Sequence, residues 1–160
     1  MLIEYFSVKG KRKINEDYTL SKIIDKNISL HIVSDGMGGY ENGKLAAKTA
    51  AESICTLISQ NYRYANFIDK IYNAVEKANN DIAQLIEKDD YGKIRHIVTR
   101  SIQGTTDRFI PDFHTAKMQV NDKIIICSDG VMNKVGLNSL SNIEFDSLKE
   151  FPVLARICNA

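Results

Sequence analysis

The order of the predicted elements indicates an α+β protein. Short strands come first, two long amphipathic helices follow, and further strands and helices complete the sequence. Because a sheet and an amphipathic helix each have one apolar face to bury, this order predicts packed α and β layers. The length of 160 residues is usual for one domain, so we expect a single domain spanning residues 1–160.

Three strands are predicted in the first part of the sequence. Apolar and polar residues alternate in part over residues 2–8, and residues 17–24 and 28–34 are rich in strand-forming residues. The last two segments are separated by Asp25, Lys26 and Asn27, which favour a turn. We therefore expect residues 17–34 to form an antiparallel hairpin.

Two amphipathic helices are predicted next, over residues 41–61 and 66–87. In each segment the apolar residues recur at intervals of three or four, which places them on one face of a helix. One apolar face suits a helix that lies on a sheet, so we expect both helices to pack against sheet layers.

The second half of the sequence has a mixed pattern. Residues 94–102 fit a short helix, and residues 112–120 and 123–128 fit a hairpin that turns at Asn121 and Asp122. The continuous apolar run that begins at Ile124 predicts a strand buried on both faces. The remaining residues, 138–160, are predicted to be mostly helical.

Composition excludes several classes of function. With 21 basic and 20 acidic side chains the net charge is +1, so we expect neither nucleic acid nor a membrane as a partner. Cys55, Cys127 and Cys158 are far apart and form no C-x-x-C pair, which argues against a zinc site or a disulfide framework. The first two lie in apolar runs and are predicted core residues. We expect a reducing, cytoplasmic setting.

The placement of aspartates is the most informative feature of the sequence. Asp35 and Asp129 each follow an apolar predicted strand and precede glycine, and Asp17, after Glu16, begins another strand. Carboxylates at strand ends can converge at one edge of a sheet, and clustered carboxylates suit Mg²⁺ or Mn²⁺. Arg12 could hold two oxygens of a phosphate group. Taken singly, the aspartates also fit ordinary turns, and Arg12 and its neighbouring lysines fit a solvated surface loop.

Taken together and in order, these segments resemble the metal-dependent protein serine/threonine phosphatases of type 2C, the PPM family. Residues 12–17 (R-K-I-N-E-D) are similar to the family's R-x-x-N-E-D segment, and residues 33–39 (V-S-D-G-M-G-G) to its V-x-D-G-M-G-G segment. Residues 124–131 (I-I-I-C-S-D-G-V) are similar to its L-L-x-C-S-D-G-L segment, which residues 99–104 precede as in the family.

The resemblance implies a layered antiparallel β-sheet sandwich flanked by helices, here with fewer strands, and an enzyme that dephosphorylates phosphorylated proteins with two Mg²⁺ or Mn²⁺ ions. Asp35 would bridge the ions, aided by the Gly36 carbonyl, and Asp129 would bind one of them. Asp17 would act through water, and Glu16 would support the metal shell. A hydroxide between the ions would attack phosphorus while Arg12 holds the phosphate; Asp35, Asp129 and Arg12 are thus the predicted catalytic residues.

Two segments of the family are not found in this sequence. The family has a G-T-T strand and a G-D-S-R turn where residues 89–93 connect two predicted helices here, and it ends on a strand that opens with a metal-binding Asp-Asn pair. One alternative is therefore a catalytically impaired pseudophosphatase that binds phosphoproteins, and another is a fragment of a longer protein. Missing strands would also leave sheet edges unpaired, which predicts a possible homodimer.

Overall fold

The computed structural model describes residues 7, 9, 12–37, 41–61, 66–88, 102, 111–120, 122 and 124–135. Within them the chain forms two strands, β1 (Tyr18–Asp25) and β2 (Ile28–Ser34), and three helices, α1 (Glu41–Asn61), α2 (Phe67–Lys88) and α3 (Asp129–Val135). The predicted α+β class is confirmed. The predicted strand at 2–8, the helix at 94–102 and the helical segment at 138–160 lie outside the described residues, except for isolated positions.

Strands β1 and β2 form the predicted antiparallel hairpin. Tyr18 pairs with Ser34 at the open end, and Asp25 pairs with Ile28 at the turn, after a small irregularity in register. The Asp25 carboxylate accepts a hydrogen bond of 2.7 Å from the backbone amide of Asn27, which fixes the turn locally. The strand boundaries differ from the predicted ones by at most one residue.

Helices α1 and α2 also begin and end within one residue of their predicted bounds. Asn66, just before α2, has a positive φ of 61°, and its carbonyl accepts the first helical hydrogen bond from Lys70. Asparagine tolerates this backbone conformation better than most residues do. Asn66, which tolerates a positive φ, thus directly precedes the first residue of α2.

The buried core lies between the two long helices. Alanines on both helices are fully or almost fully buried, including Ala51, Ala74 and Ala78, and their small side chains allow the helix backbones to approach closely. Ile82 and the half-buried Ile102 pack at the same contact. Among the described elements α1 contacts the hairpin, whereas α2 contacts α1 alone. Within the described residues the apolar face of α2 packs against α1, and the expected contact of α2 with a sheet is not seen there.

Residues 111–128 differ from the sequence prediction. A turn does form, since the amide of Gln119 donates a 2.7 Å hydrogen bond to the Asp122 carboxylate. The described residues on either side of it form no strand, and Ile124 is 69% exposed. The prediction of a hairpin with one strand buried on both faces is wrong, because the described part of the chain supplies no neighbouring strands to cover it. Cys127 is consequently half-buried, whereas Cys55 is buried as predicted.

No helix in the described part of the chain is long and apolar enough to cross a membrane.

Candidate functional site

The register of the hairpin places Asp17 and Asp35 opposite each other. Tyr18 pairs with Ser34 in the last pair of the ladder, and the two aspartates are the next residues outward on either strand. Neighbouring strands lie about 5 Å apart, so side chains at such positions can interact directly. The hairpin therefore brings together Asp17 and Asp35, two of the three aspartates singled out in the sequence.

Ser128 joins the third aspartate-bearing segment to this hairpin end. Its hydroxyl donates a hydrogen bond of 2.8 Å to Oδ2 of Asp17, although the two residues are 111 positions apart in the chain. Asp129 follows directly as the first residue of α3, so it begins a helix instead of ending a strand. The hydrogen bond thereby fixes where Asp129 enters the site.

Partial burial and the two neighbouring aspartates together raise the pKa of Asp35. The pKa of Asp35 is raised from 3.8 to about 6, first because its carboxyl is partly withdrawn from water. Repulsion from Asp17 and Asp129 and a hydrogen bond with Asp17 raise it further, and the positive charge of Arg12 acts in the opposite direction. The site therefore concentrates more negative charge than its own basic residues neutralise.

Glycine at position 36 is required by the close approach of two backbone segments. A Cβ atom there would collide with the carbonyl oxygens of Glu16 and Gly43. A Cβ on Gly43, in the first turn of α1, would in turn collide with the carboxylate of Glu16. Glu16 is 4% exposed. Its carboxylate thus lies against the start of α1, where a helix N-terminus favours negative charge. Glu16 therefore forms part of the buried wall of the site.

An open cleft of about 490 Å³ lies in front of these residues. Its walls combine acidic, basic and apolar side chains: Arg12, Lys13, Ile14, Glu16, Asp35, Gly36, Met37 and Asp129. Near Arg12, the side-chain amide of Asn15 donates a 2.7 Å hydrogen bond to the hydroxyl of Ser7. The predicted phosphate-binding arginine and two of the predicted metal-binding aspartates therefore line the same cleft.

The donor atoms at this site can be compared with the needs of a divalent cation. Carboxylate oxygens of Asp17, Asp35 and Asp129 are hard ligands of the kind that Mg²⁺ and Mn²⁺ prefer. Their mutual repulsion, expressed in the raised pKa of Asp35, would be relieved by a cation. In the described residues, however, no group of three or more His, Cys, Asp or Glu side chains is arranged to hold a metal ion. The donor chemistry fits such a cation, but the spacing does not form a complete cage.

Three residues that the sequence analysis left without a role belong to the site. Ser128 binds Asp17, Gly43 makes room for Glu16, and Lys13 lines the cleft beside Arg12. The position of Lys13 next to Arg12 was a usable signal. Nothing in the local sequence could have paired Ser128 with Asp17, because that contact joins distant parts of the chain.

Comparisons of the chain with protein-family models, with curated proteins and with solved structures gave no significant match.

Proposed function

We propose that this protein is a phosphoprotein phosphatase acting on phosphoserine and phosphothreonine with the help of Mg²⁺ or Mn²⁺. One observation carries the proposal: Arg12, Asp35 and Asp129 line one cleft, and Asp17 is linked to the same point through Ser128. A cation for phosphate oxygens beside clustered carboxylates for metal ions is the combination that metal-assisted phosphate hydrolysis needs. The resemblance of the three motif segments to the PPM family agrees with it.

Each residue has a defined part in this proposal. Asp35 and Asp129, the Gly36 carbonyl and, through water, Asp17 would hold the cations, with Glu16 supporting them. When bound, the cations would activate water and neutralise charge on the phosphoryl group. Arg12 would bind two phosphate oxygens and orient the phosphorus atom towards the carboxylates.

The finer features of fold and assembly belong to the same proposal. The hairpin and α1 would form part of a layered antiparallel β-sandwich flanked by helices. Within the described residues β1 and β2 pair only with each other, so each has an unpaired edge. Such edges favour pairing with a second copy, and a homodimer detected by sedimentation analysis would support this assembly.

Hydrolysis of p-nitrophenyl phosphate and of a phosphothreonine peptide tests the proposal. Turnover should need Mn²⁺ or Mg²⁺, stop in the presence of a chelator, and fall at least a hundredfold in Asp35→Asn. Asp25→Asn is the matched control, because it removes a carboxylate from the hairpin turn at the far end of the strands and preserves the turn's hydrogen-bond acceptor. A folded protein without metal-dependent turnover would refute the enzyme assignment.

A second candidate is a pseudophosphatase that binds phosphoproteins without hydrolysing them. The absence, from the described residues, of three side chains placed to hold a metal ion favours this candidate. It predicts that a phosphothreonine peptide binds in chelator as well as in Mn²⁺ and is never hydrolysed. Loss of that binding in Arg12→Ala, with Asp35→Asn unaffected, would separate it from the phosphatase.

A further inference from the structure

The cleft contains a second cation, Lys13, to which the proposed hydrolysis assigns no part. Lys13 is exposed and lines the cleft beside Arg12. The ion pairs formed among the described residues join Lys48 to Glu52 and Lys77 to Asp81. Both pairs lie on the long helices, whereas Arg12 and Lys13 line the cleft with exposed side chains that can face a ligand.

The loop that bears the two cations is held in place by its own hydrogen bonds. The side-chain amide of Asn15 donates a hydrogen bond to the Ser7 hydroxyl. The backbone amide of Arg12 donates one of 3.2 Å to the Lys9 carbonyl. The Asp17 amide donates to the Asn15 side chain at 3.1 Å, which ties the loop to the start of β1. These hydrogen bonds hold Arg12 and Asn15, on either side of Lys13, and the side chains of Arg12 and Lys13 line the cleft.

A single phosphate group does not need both cations. One guanidinium can hold two of its oxygens, and in the proposed reaction the divalent cations would neutralise the remaining charge. The ammonium group of a lysine is a compact point charge that can pair with any neighbouring anion. On the substrate, the group left for Lys13 is therefore a second anion close to the phosphorylated residue.

We infer that Lys13 recognises a second negatively charged group next to the phosphorylated residue, so that the cleft selects phosphorylated segments of acidic character. The second group is a carboxylate or another phosphate, both of which pair with an ammonium ion. This inference rests on the proposed phosphoprotein substrate. Lys13 thus determines which phosphoproteins are chosen, and Arg12 holds the phosphate that is removed.

Fluorescence anisotropy with labelled phosphothreonine peptides tests the inference. Three peptides differ only at the residues flanking phosphothreonine, which are glutamine, glutamate or phosphoserine. At low salt the wild-type protein should bind the glutamate peptide about two- to fivefold more tightly than the glutamine peptide, as expected for one exposed ion pair. The phosphoserine peptide measures whether phosphate serves better than carboxylate, and added salt should reduce both preferences.

Variants assign the preference to one side chain. Lys13→Ala should bind the glutamate and glutamine peptides equally, whereas Lys13→Arg should keep the preference. Lys26→Ala is the matched control, since it removes an exposed lysine from the hairpin turn, which lies at the opposite end of the strands from Asp17. A wild-type protein that binds these peptides without preference, or an equal loss in Lys26→Ala, would overturn the inference.

Hydrolysis measured on the same peptides separates this inference from the proposed function. Selective binding without any turnover would overturn the phosphatase assignment and support the role of Lys13. Turnover without selectivity would overturn the role of Lys13 alone. Absence of both binding and turnover would overturn both.

Discussion

Replacing Ser128 with alanine removes the hydrogen bond that joins the Asp129 segment to the hairpin. The bond is 2.8 Å long and its acceptor is a carboxylate oxygen of Asp17. Hydrogen bonds to charged groups contribute about 1.5–3 kcal/mol, and the lower end applies here because both residues are only half-buried and water can replace the hydroxyl. We expect Ser128→Ala to lower the free energy of unfolding by about 1.5 kcal/mol in urea titrations.

The same change should impair the site more than the fold. Among the described elements none contacts α3, so the bond from Ser128, the residue before α3, to Asp17 should help to position Asp129 near Asp35. A misplaced carboxylate should weaken Mn²⁺ binding and lower kcat/KM about tenfold, which corresponds to about 1.4 kcal/mol. Mn²⁺ affinity is measured by electron paramagnetic resonance of the free ion, independently of turnover.

Two variants control this experiment. Ser128→Thr keeps the hydroxyl and should restore Mn²⁺ affinity. Ser29→Ala removes a hydroxyl whose hydrogen bond to the His31 ring on the hairpin has a similar length, 2.9 Å. It should lower the free energy of unfolding without changing the site. If Ser128→Ala unfolds like the wild type and binds Mn²⁺ equally well, the bond does not position Asp129 and the reasoning fails.

Four further changes test the packing and the electrostatics. Gly36→Ala should cost about 1–3 kcal/mol in urea unfolding, because its Cβ would meet backbone carbonyls that cannot rotate away; an unchanged midpoint would contradict this packing. Ala78→Leu should cost a similar amount by overfilling the contact between α1 and α2, and a stable variant would place that contact elsewhere. Asp81→Asn should cost about 1 kcal/mol at neutral pH, since its carboxylate accepts hydrogen bonds from Lys77 on α2 and Ser53 on α1. Although burial opposes it, these bonds lower the pKa of Asp81, so the difference from the wild type should shrink in strong acid, where both carry a neutral side chain. Asp35→Asn should stabilise the metal-free protein at pH 7 by up to about 1 kcal/mol, a value reduced for solvent screening.

The expected pH dependence of Asp35 follows from the direction of its shift. A pKa raised to about 6 means that the folded protein holds this proton more tightly than the unfolded chain does. The associated stability is present below the ordinary value of 3.8 and is lost as the pH rises through about 6. In chelator, the stability curves of wild type and Asp35→Asn should therefore diverge between these pH values, and parallel curves would show that the fold does not raise the pKa of Asp35.

Local patterns in the sequence determined the elements around the site. The strand-forming residues on both sides of Asp25–Asn27 predicted the hairpin, and the apolar spacing of α1 and α2 predicted both helices almost to the residue. These signals are reliable because turn formation and amphipathic periodicity depend on neighbours in sequence. The observed register of the hairpin then places Asp17 beside Asp35.

Apolar composition did not determine what covers a segment. The run from Ile124 to Cys127 has the sequence of a doubly buried strand, yet it is partly exposed and forms no strand. A strand requires a hydrogen-bonding neighbour, and its own residues do not specify one. In the same way, the apolar face of α2 packs against α1 in the described structure. An apolar stripe can be buried equally well by a helix or by a sheet.

The sequence by itself thus determined the hairpin and the two long helices, and it indicated that carboxylates at strand ends can converge. Only the tertiary structure decided that Asp129 joins them through Ser128 and that Lys13 shares a cleft with Arg12. The physical reason is the distance along the chain. Contacts between near neighbours are set by turn geometry and periodicity, whereas a hydrogen bond across 111 residues depends on how the intervening chain packs.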